Sequence, residues 1–181
     1  MPKLDHISNS IPLPEGVSAS IEGEVVTISK EGESLSREFR HHKVEIRSVE
    51  GGLEVFVNLP RRSDKALAGT WAAHLRNMAR GVDEGFEYRL KAVFSHFPMS
   101  LKVDGKQFTI TNLFGEKVPR VAKLPWNEVE VRVENKTDVV VKGADREKVG
   151  QTAANIEGAC KIKKRDRRVF QDGVYIVSKG A

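Results

Sequence analysis

Cysteine is almost absent from this chain of 181 residues: Cys160 stands alone, so neither an internal disulfide nor a cysteine-rich zinc site can form. Aromatic residues make up only 7% of the chain, which leaves the core to Val, Ile, Leu and Ala. No apolar run approaches the ~20 residues of a membrane-spanning helix. The amino terminus, Met1-Pro-Lys-Leu-Asp-His6, is too polar for a signal peptide. The expectation is a cytoplasmic protein with no membrane attachment.

The loops that cradle nucleotides and cofactors are missing as well. There is no Walker-type loop, no G-x-G-x-x-G after a strand and no G-x-S-x-G elbow. The histidines are His6, His41, His42, His74 and His96. His41 and His42 are adjacent, so on a strand their rings point to opposite faces and cannot share a metal, whereas in a loop they can. His74 falls on or beside an apolar helical face and reads as a packing or boundary residue, and Cys160 reads as a small core residue. Neither His74 nor His41 has a nearby nucleophile or a defined acid/base partner. The expectation is no catalytic residue, no cofactor, no metal and no enzymatic activity. An enzyme built on His74 or His41 with a carboxylate is the rival, and it requires a polar pocket converging on one of them.

What is present is charge, in one place. Net charge is +5. Residues 1–82 carry 11 Lys/Arg and 11 Asp/Glu, whereas residues 83–181 carry 19 and 14. The surplus equals that of one segment, Cys160-Lys-Ile-Lys-Lys-Arg-Asp-Arg-Arg-Val169, which holds six cations and one carboxylate. A patch so local implies an anionic partner better than a uniformly basic composition does. Lys161, Lys163, Lys164, Arg165, Arg167 and Arg168 lie between a helix end and a strand, where donors can spread over several phosphates and arginine adds bidentate bonding and stacking. Phe170 and Tyr175 flank them. No helix-turn-helix, basic zipper or RNP1 signature occurs, and a presented loop suits RNA.

The chain also repeats itself. Val17–Ile28 and Met99–Ile110 align at an offset of 82, with Gly23 on Gly105 and Thr27-Ile28 on Thr109-Ile110. Each reads as a hairpin around an acidic-Gly turn. Val44-Glu-Ile-Arg47 matches Val129-Glu-Val-Arg132, and each is followed by a polar turn and a β-branched run (Val55–Val57; Val139–Val141). The period then changes to that of a helix. Leu67, Trp71, His74, Leu75 and Met78 share one face, as do Val149, Ala153, Ile156 and Cys160, with Asp64 and Asp145 near the helix starts. Gly69 aligns with Gly150 and Ala72-Ala73 with Ala153-Ala154, at an offset of 81. The fold class is therefore α+β: two tandem similar domains, each an antiparallel sheet packed on one face by a helix. The boundary falls near Gly81, which is expected to end the first helix, giving domains 1–82 and 83–181. The second copy adds the basic segment and one more strand, Gly173–Val177.

Arg168-Val-Phe-Gln-Asp-Gly-Val-Tyr-Ile-Val-Ser-Lys179, following a helix and a basic run, resembles the closing signature of the universal ribosomal protein L-six family. Gly69-Thr-Trp-Ala-Ala-His-Leu-Arg-Asn-Met-Ala-Arg-Gly-Val82, His96-Phe-Pro98 and Leu113-Phe-Gly-Glu-Lys117 resemble that family's archaeal and eukaryotic branch. The resemblance covers nearly the whole chain, duplication included. It implies a non-enzymatic component of the large ribosomal subunit that binds the large ribosomal RNA mainly through its second domain. The implied position is near the sarcin–ricin loop and the base of the factor-binding stalk. Its partners would be that RNA and neighbouring large-subunit proteins, with the chain a monomer within the ribosome. Carried onto matching positions, RNA contacts include Lys163, Lys164, Arg168 and Lys179, while Phe170, Asp172, Gly173 and Tyr175 shape the closing strand and its turn. The bacterial Tyr-Lys-Gly-Lys-Gly motif is replaced by Lys164-Arg-Asp-Arg-Arg168, so contacts particular to that motif do not transfer. The alternative is a non-ribosomal RNA-binding or chaperone module of the same fold.

Overall fold

The structure, a computed structural model, describes residues 5–95, 97–163, 165–166 and 168–180. His96, Lys164 and Arg167 lie outside the described residues. The chain divides into two compact units, residues 1–84 and 85–181.

Six strands precede one helix in the first unit: β1 (His6–Pro12), β2 (Ser18–Glu22), β3 (Val25–Lys30), β4 (Glu33–Glu38), β5 (Val44–Val49), β6 (Gly52–Asn58) and α1 (Arg62–Asp83). The antiparallel strands form two sheets, in the orders β1-β6-β5 and β2-β3-β4. Alternation decides which side chains turn inward. On β6, Leu53, Val55 and Val57 are fully buried, while Phe56 points away beneath the Arg47 guanidinium, 4.1 Å from its ring centroid. Ala68, Trp71, Ala72, Leu75, Met78 and Ala79 of α1 close one core with Ile11, Val26, Ile28 and the β6 residues.

The second unit repeats this plan with β7 (Phe86–Val93), β8 (Ser100–Asp104), β9 (Gln107–Thr111), β10 (Arg120–Lys123), β11 (Glu130–Glu134), β12 (Asp138–Gly143) and α2 (Arg146–Ala159), then adds β13 (Gly173–Lys179). Its sheets run β11-β12-β7-β13 and β10-β9-β8. Order β7-β12-β11 reproduces β1-β6-β5, and β13 extends the sheet beyond β7. The duplication is thus one of topology as well as sequence. The aligned hairpins β2–β3 and β8–β9 both turn through a glycine in the left-handed region, Gly23 at φ 63° and Gly105 at φ 55°, where a side chain would be strained.

The helices follow the sequence alignment closely. Ala68, Trp71, Ala72, Leu75 and Ala79 are buried, and so are the residues 81 positions later: Val149, Thr152, Ala153, Ile156 and Cys160. Their starts differ. Asp145 is a true N-cap, accepting from the Glu147 amide at 2.8 Å and the Lys148 amide at 3.5 Å. Asp64 lies inside the first turn of α1 and reaches back to the Arg61 amide at 3.0 Å, which lowers its carboxyl pKa. Gly81 does not end α1. It is buried in the last turn, the helix runs on to Asp83, and Gly85, at φ 73°, reverses the chain.

Candidate nucleic-acid interface

Lys161, Lys163, Arg165 and Arg168 all lie exposed on the loop between α2 and β13. The two remaining predicted cations, Lys164 and Arg167, fall outside the described residues. Phe170 is exposed at the end of the loop, Asp172 and Gly173 are buried where β13 begins, and Tyr175 is exposed on that strand. Lys179 stands apart. It closes β13 six residues beyond Gly173, a separation of roughly 20 Å along the strand.

The loop leaves α2 under the control of Arg120, a residue with no signal in the sequence. Its guanidinium donates to the Ala159 carbonyl at 3.2 Å and the Lys161 carbonyl at 2.8 Å, satisfying acceptors at the helix end. Two further N–H groups hold the Glu116 carboxylate at 2.7 and 2.9 Å. Arg120 therefore ties β10, the short 3-10 turn Leu113–Gly115 and the start of the basic segment together.

This pair has a pH consequence. The Arg120 hydrogen bonds hold the Glu116 carboxyl below its ordinary 4.5, with the charges of Arg120, Arg165 and Lys163 acting in the same direction. Because the folded-state pKa is depressed, the stabilisation is present in full above the unfolded value and is lost as pH falls through the folded value. Glu116→Gln is expected to lower the melting temperature at neutral pH and to converge on the wild type in acid, in melts taken from about pH 7 down to about pH 3. A difference constant across that range would mean that shape, not charge, matters at this position.

Asp166, the one carboxylate within the basic run, organises the turn. Its side chain accepts from the Arg168 amide at 2.9 Å, and its carbonyl accepts from the Val169 and Phe170 amides at 3.2 and 3.0 Å. Gln171 donates to the Arg168 carbonyl at 3.1 Å, and the Tyr175 hydroxyl donates to the Gln171 carbonyl at 2.8 Å. Asp172 accepts from both the amide and the hydroxyl of Ser95, each at 3.1 Å. A Cβ on Gly173 would lie 3.3 Å from the Tyr175 ring and 3.4 Å from the Cys160 Cβ, so glycine lets β13 start close against the end of α2.

Cys160 is a core residue with an added task. Burial pushes its thiol pKa up, and its sulfur accepts from the Val174 amide at 3.3 Å. Glu157 accepts from the Ile176 amide at 3.1 Å. The helix thereby covers amides of β13, the edge strand of its sheet.

The histidines take other places. His41 and His42 sit in a loop with ring centroids 4.5 Å apart, and the His41 Nδ1 accepts from the amides of Lys43 and Val44 at 3.2 and 3.3 Å. His74 is half-buried on α1, its Nδ1 3.2 Å from the Arg37 guanidinium. Among the described residues there is no group of three or more His, Cys, Asp or Glu placed to hold a metal ion. Nor is any helix among them long and apolar enough to cross a membrane.

Beside the loop the structure adds to Phe170 two aromatic residues that charge reasoning did not single out, Phe114 and Phe97. Arg165 lies over Phe170 and Phe114, 4.8 and 5.3 Å from their centroids, and the two rings meet edge to face at 5.8 Å. Phe97 packs its ring against Gly115. Both belong to short motifs of the sequence, His96-Phe-Pro98 and Leu113-Phe-Gly115, whose spatial meeting no local pattern announces.

Known proteins resemble this chain along its length. The profile of a family described as Ribosomal protein L6 matches residues 13–85 and 97–173, one stretch in each unit. The large ribosomal subunit protein uL6 of Methanosphaera stadtmanae is 48% identical over 179 residues, which cover 99% of this chain and 97% of its own. The protein of the same name from Methanosarcina mazei is 45% identical over 176 residues, 97% of this chain and 99% of its own. That of Methanobrevibacter smithii is 44% identical over 174 residues, 96% of each. All three are archaeal, in keeping with the branch that the sequence resembles. The chain belongs to the ribosomal protein L6 family.

Proposed function

We propose that this protein is a structural, non-enzymatic constituent of the large ribosomal subunit, cytoplasmic with the ribosome and monomeric within it. In this reading it binds large-subunit ribosomal RNA mainly through residues 83–181. The observation that carries the reading is the placement of charge: the first 82 residues are balanced, while Lys161, Lys163, Arg165 and Arg168 stand exposed on one loop. These four, with Lys164 and Arg167, take phosphates. Lys179 supplies a second point of contact at the far end of β13, and Phe170, Asp172, Gly173 and Tyr175 hold the loop in shape. Residues 1–82, with no surplus of positive charge, meet neighbouring large-subunit proteins. The location near the sarcin–ricin loop and the base of the factor-binding stalk follows from the family resemblance.

Sedimentation tests this directly. Large subunits washed at about 1 M salt, where the Debye length shrinks to about 3 Å, are expected to keep the protein, because a core component is held by shape as well as charge. Release into the supernatant would favour the non-ribosomal chaperone reading.

A further inference from the structure

Phe114 adopts φ 53° and ψ 24°, between Asn112 at φ 63° and Gly115 at φ 73°. The left-handed region disfavours a bulky side chain, and such residues persist only where their surroundings hold them. Here the strained turn seats the buried Phe114 ring beneath Phe170 and Arg165 and leaves Gly115 flat against Phe97. Gly115, whose φ of 73° favours glycine, lies beside the Phe97 ring, within ordinary van der Waals reach of it.

The rings on top of this turn are open to solvent. Phe97 is 48% exposed and Phe170 36%, whereas Phe114 is 7% exposed. Exposed phenylalanine is costly to hydrate, and in a chain so poor in aromatics the coincidence of two around one turn asks for a partner. Lys161, Lys163 and Arg168 lie exposed on the same loop as Arg165 and Phe170. Cations that neutralise phosphates beside open π-faces are the combination that binds unpaired nucleic acid, since every base has a face to stack.

We propose that Phe97, Phe170 and Arg165, supported by Phe114, form a stacking platform for unpaired nucleobases of large-subunit ribosomal RNA. This rests on the reading that the basic loop binds that RNA. Phosphate contacts position the strand, and the platform selects a place where a base is free to leave its helix. A protein neighbour would cover the same rings without any dependence on bases.

The test uses the full chain, an archaeal large-subunit ribosomal RNA, and two single-stranded probes of equal length, oligoadenylate and an abasic oligomer. Phe97→Leu with Phe170→Leu keeps apolar bulk and removes both π-faces, while Phe97→Trp with Phe170→Trp keeps them. The leucine variant, folded by circular dichroism, is expected to bind the ribosomal RNA roughly 5- to 100-fold more weakly. Its salt slope should be unchanged, because no phosphate contact is lost. The wild type should prefer oligoadenylate to the abasic oligomer, the leucine variant should lose that preference, and the tryptophan variant should retain it. Wild-type RNA affinity in the leucine variant, or no base preference in the wild type, overturns the platform while leaving the basic loop intact. Failure of the wild type to bind the ribosomal RNA overturns both readings.

Discussion

Changing Lys163, Lys164, Arg165, Arg167 and Arg168 together to alanine is expected to remove most of the affinity for large-subunit ribosomal RNA and to flatten its salt dependence. Each neutralised phosphate releases condensed counterions, so about five contacts correspond to a log–log slope on the order of −3 to −5. Over a fourfold rise in salt the wild type should lose about two to three orders of magnitude in affinity, and the variant far less. The fold should survive. Lys163, Arg165 and Arg168 are exposed, and the groups that shape the loop, Arg120, Asp166 and Asp172, are untouched. Equilibrium binding of both proteins across a salt series reads affinity and slope together. If neither changes, RNA contact lies elsewhere on the chain, and the assignment to this loop fails even though the family stands.

The second large effect concerns stability. Gly52→Ala is expected to destabilise the protein by about 2–3 kcal/mol, the upper part of the usual range for a single substitution, because backbone must move to admit the side chain. Gly52 opens β6 between two partners, opposite Pro12 on β1 and Val49 on β5. A Cβ there would lie 2.2 Å from the Ile11 carbonyl oxygen and 3.2 Å from the Pro12 Cα. Those are backbone atoms held in the sheet, so they cannot swing aside as a side-chain tip would. Gly69→Ala is the contrasting case. Gly69 is exposed within α1 and nothing lies within 4 Å of its missing Cβ, so alanine should stabilise by about 0.5–1 kcal/mol through helix propensity. Urea denaturation of both variants checks the pair. A Gly52→Ala midpoint equal to the wild type would mean that β1 and β6 separate there at little cost.

Much of the fold is local and was therefore legible in the residues. Alternation in β6 and the period of α1 and α2 reflect side chains choosing between water and core, and that choice is written every second or every third and fourth residue. The offset of 81 between the helices carried through to five pairs of buried positions because duplicated helices keep the same face inward. Where the reading departed from the structure, the local signal was ambiguous. Gly81 had the identity of a helix terminator, yet its buried position within α1 suits a residue without a side chain, and Gly85 two residues past the end made the turn. Asp64 and Asp145 aligned in sequence and serve different positions, because the residue 81 beyond Arg62 is Gly143, still in β12.

The sequence by itself determined the duplication, the α+β class, the family and the segment where positive charge collects, since each rests on residue order and composition alone. Only the tertiary structure decided how that segment is held. Arg120 reaches it from a position 41 residues before Lys161, and Ser95 binds Asp172 across 77 residues. Cys160 and Glu157 meet amides of β13 that no sequence window contains with them at a fixed spacing. It also brought Phe97, Phe114 and Phe170 around a single turn. Hydrogen bonds and ring contacts act over a few ångströms, and residues so far apart in the chain come within that reach only after the sheets and helix have packed.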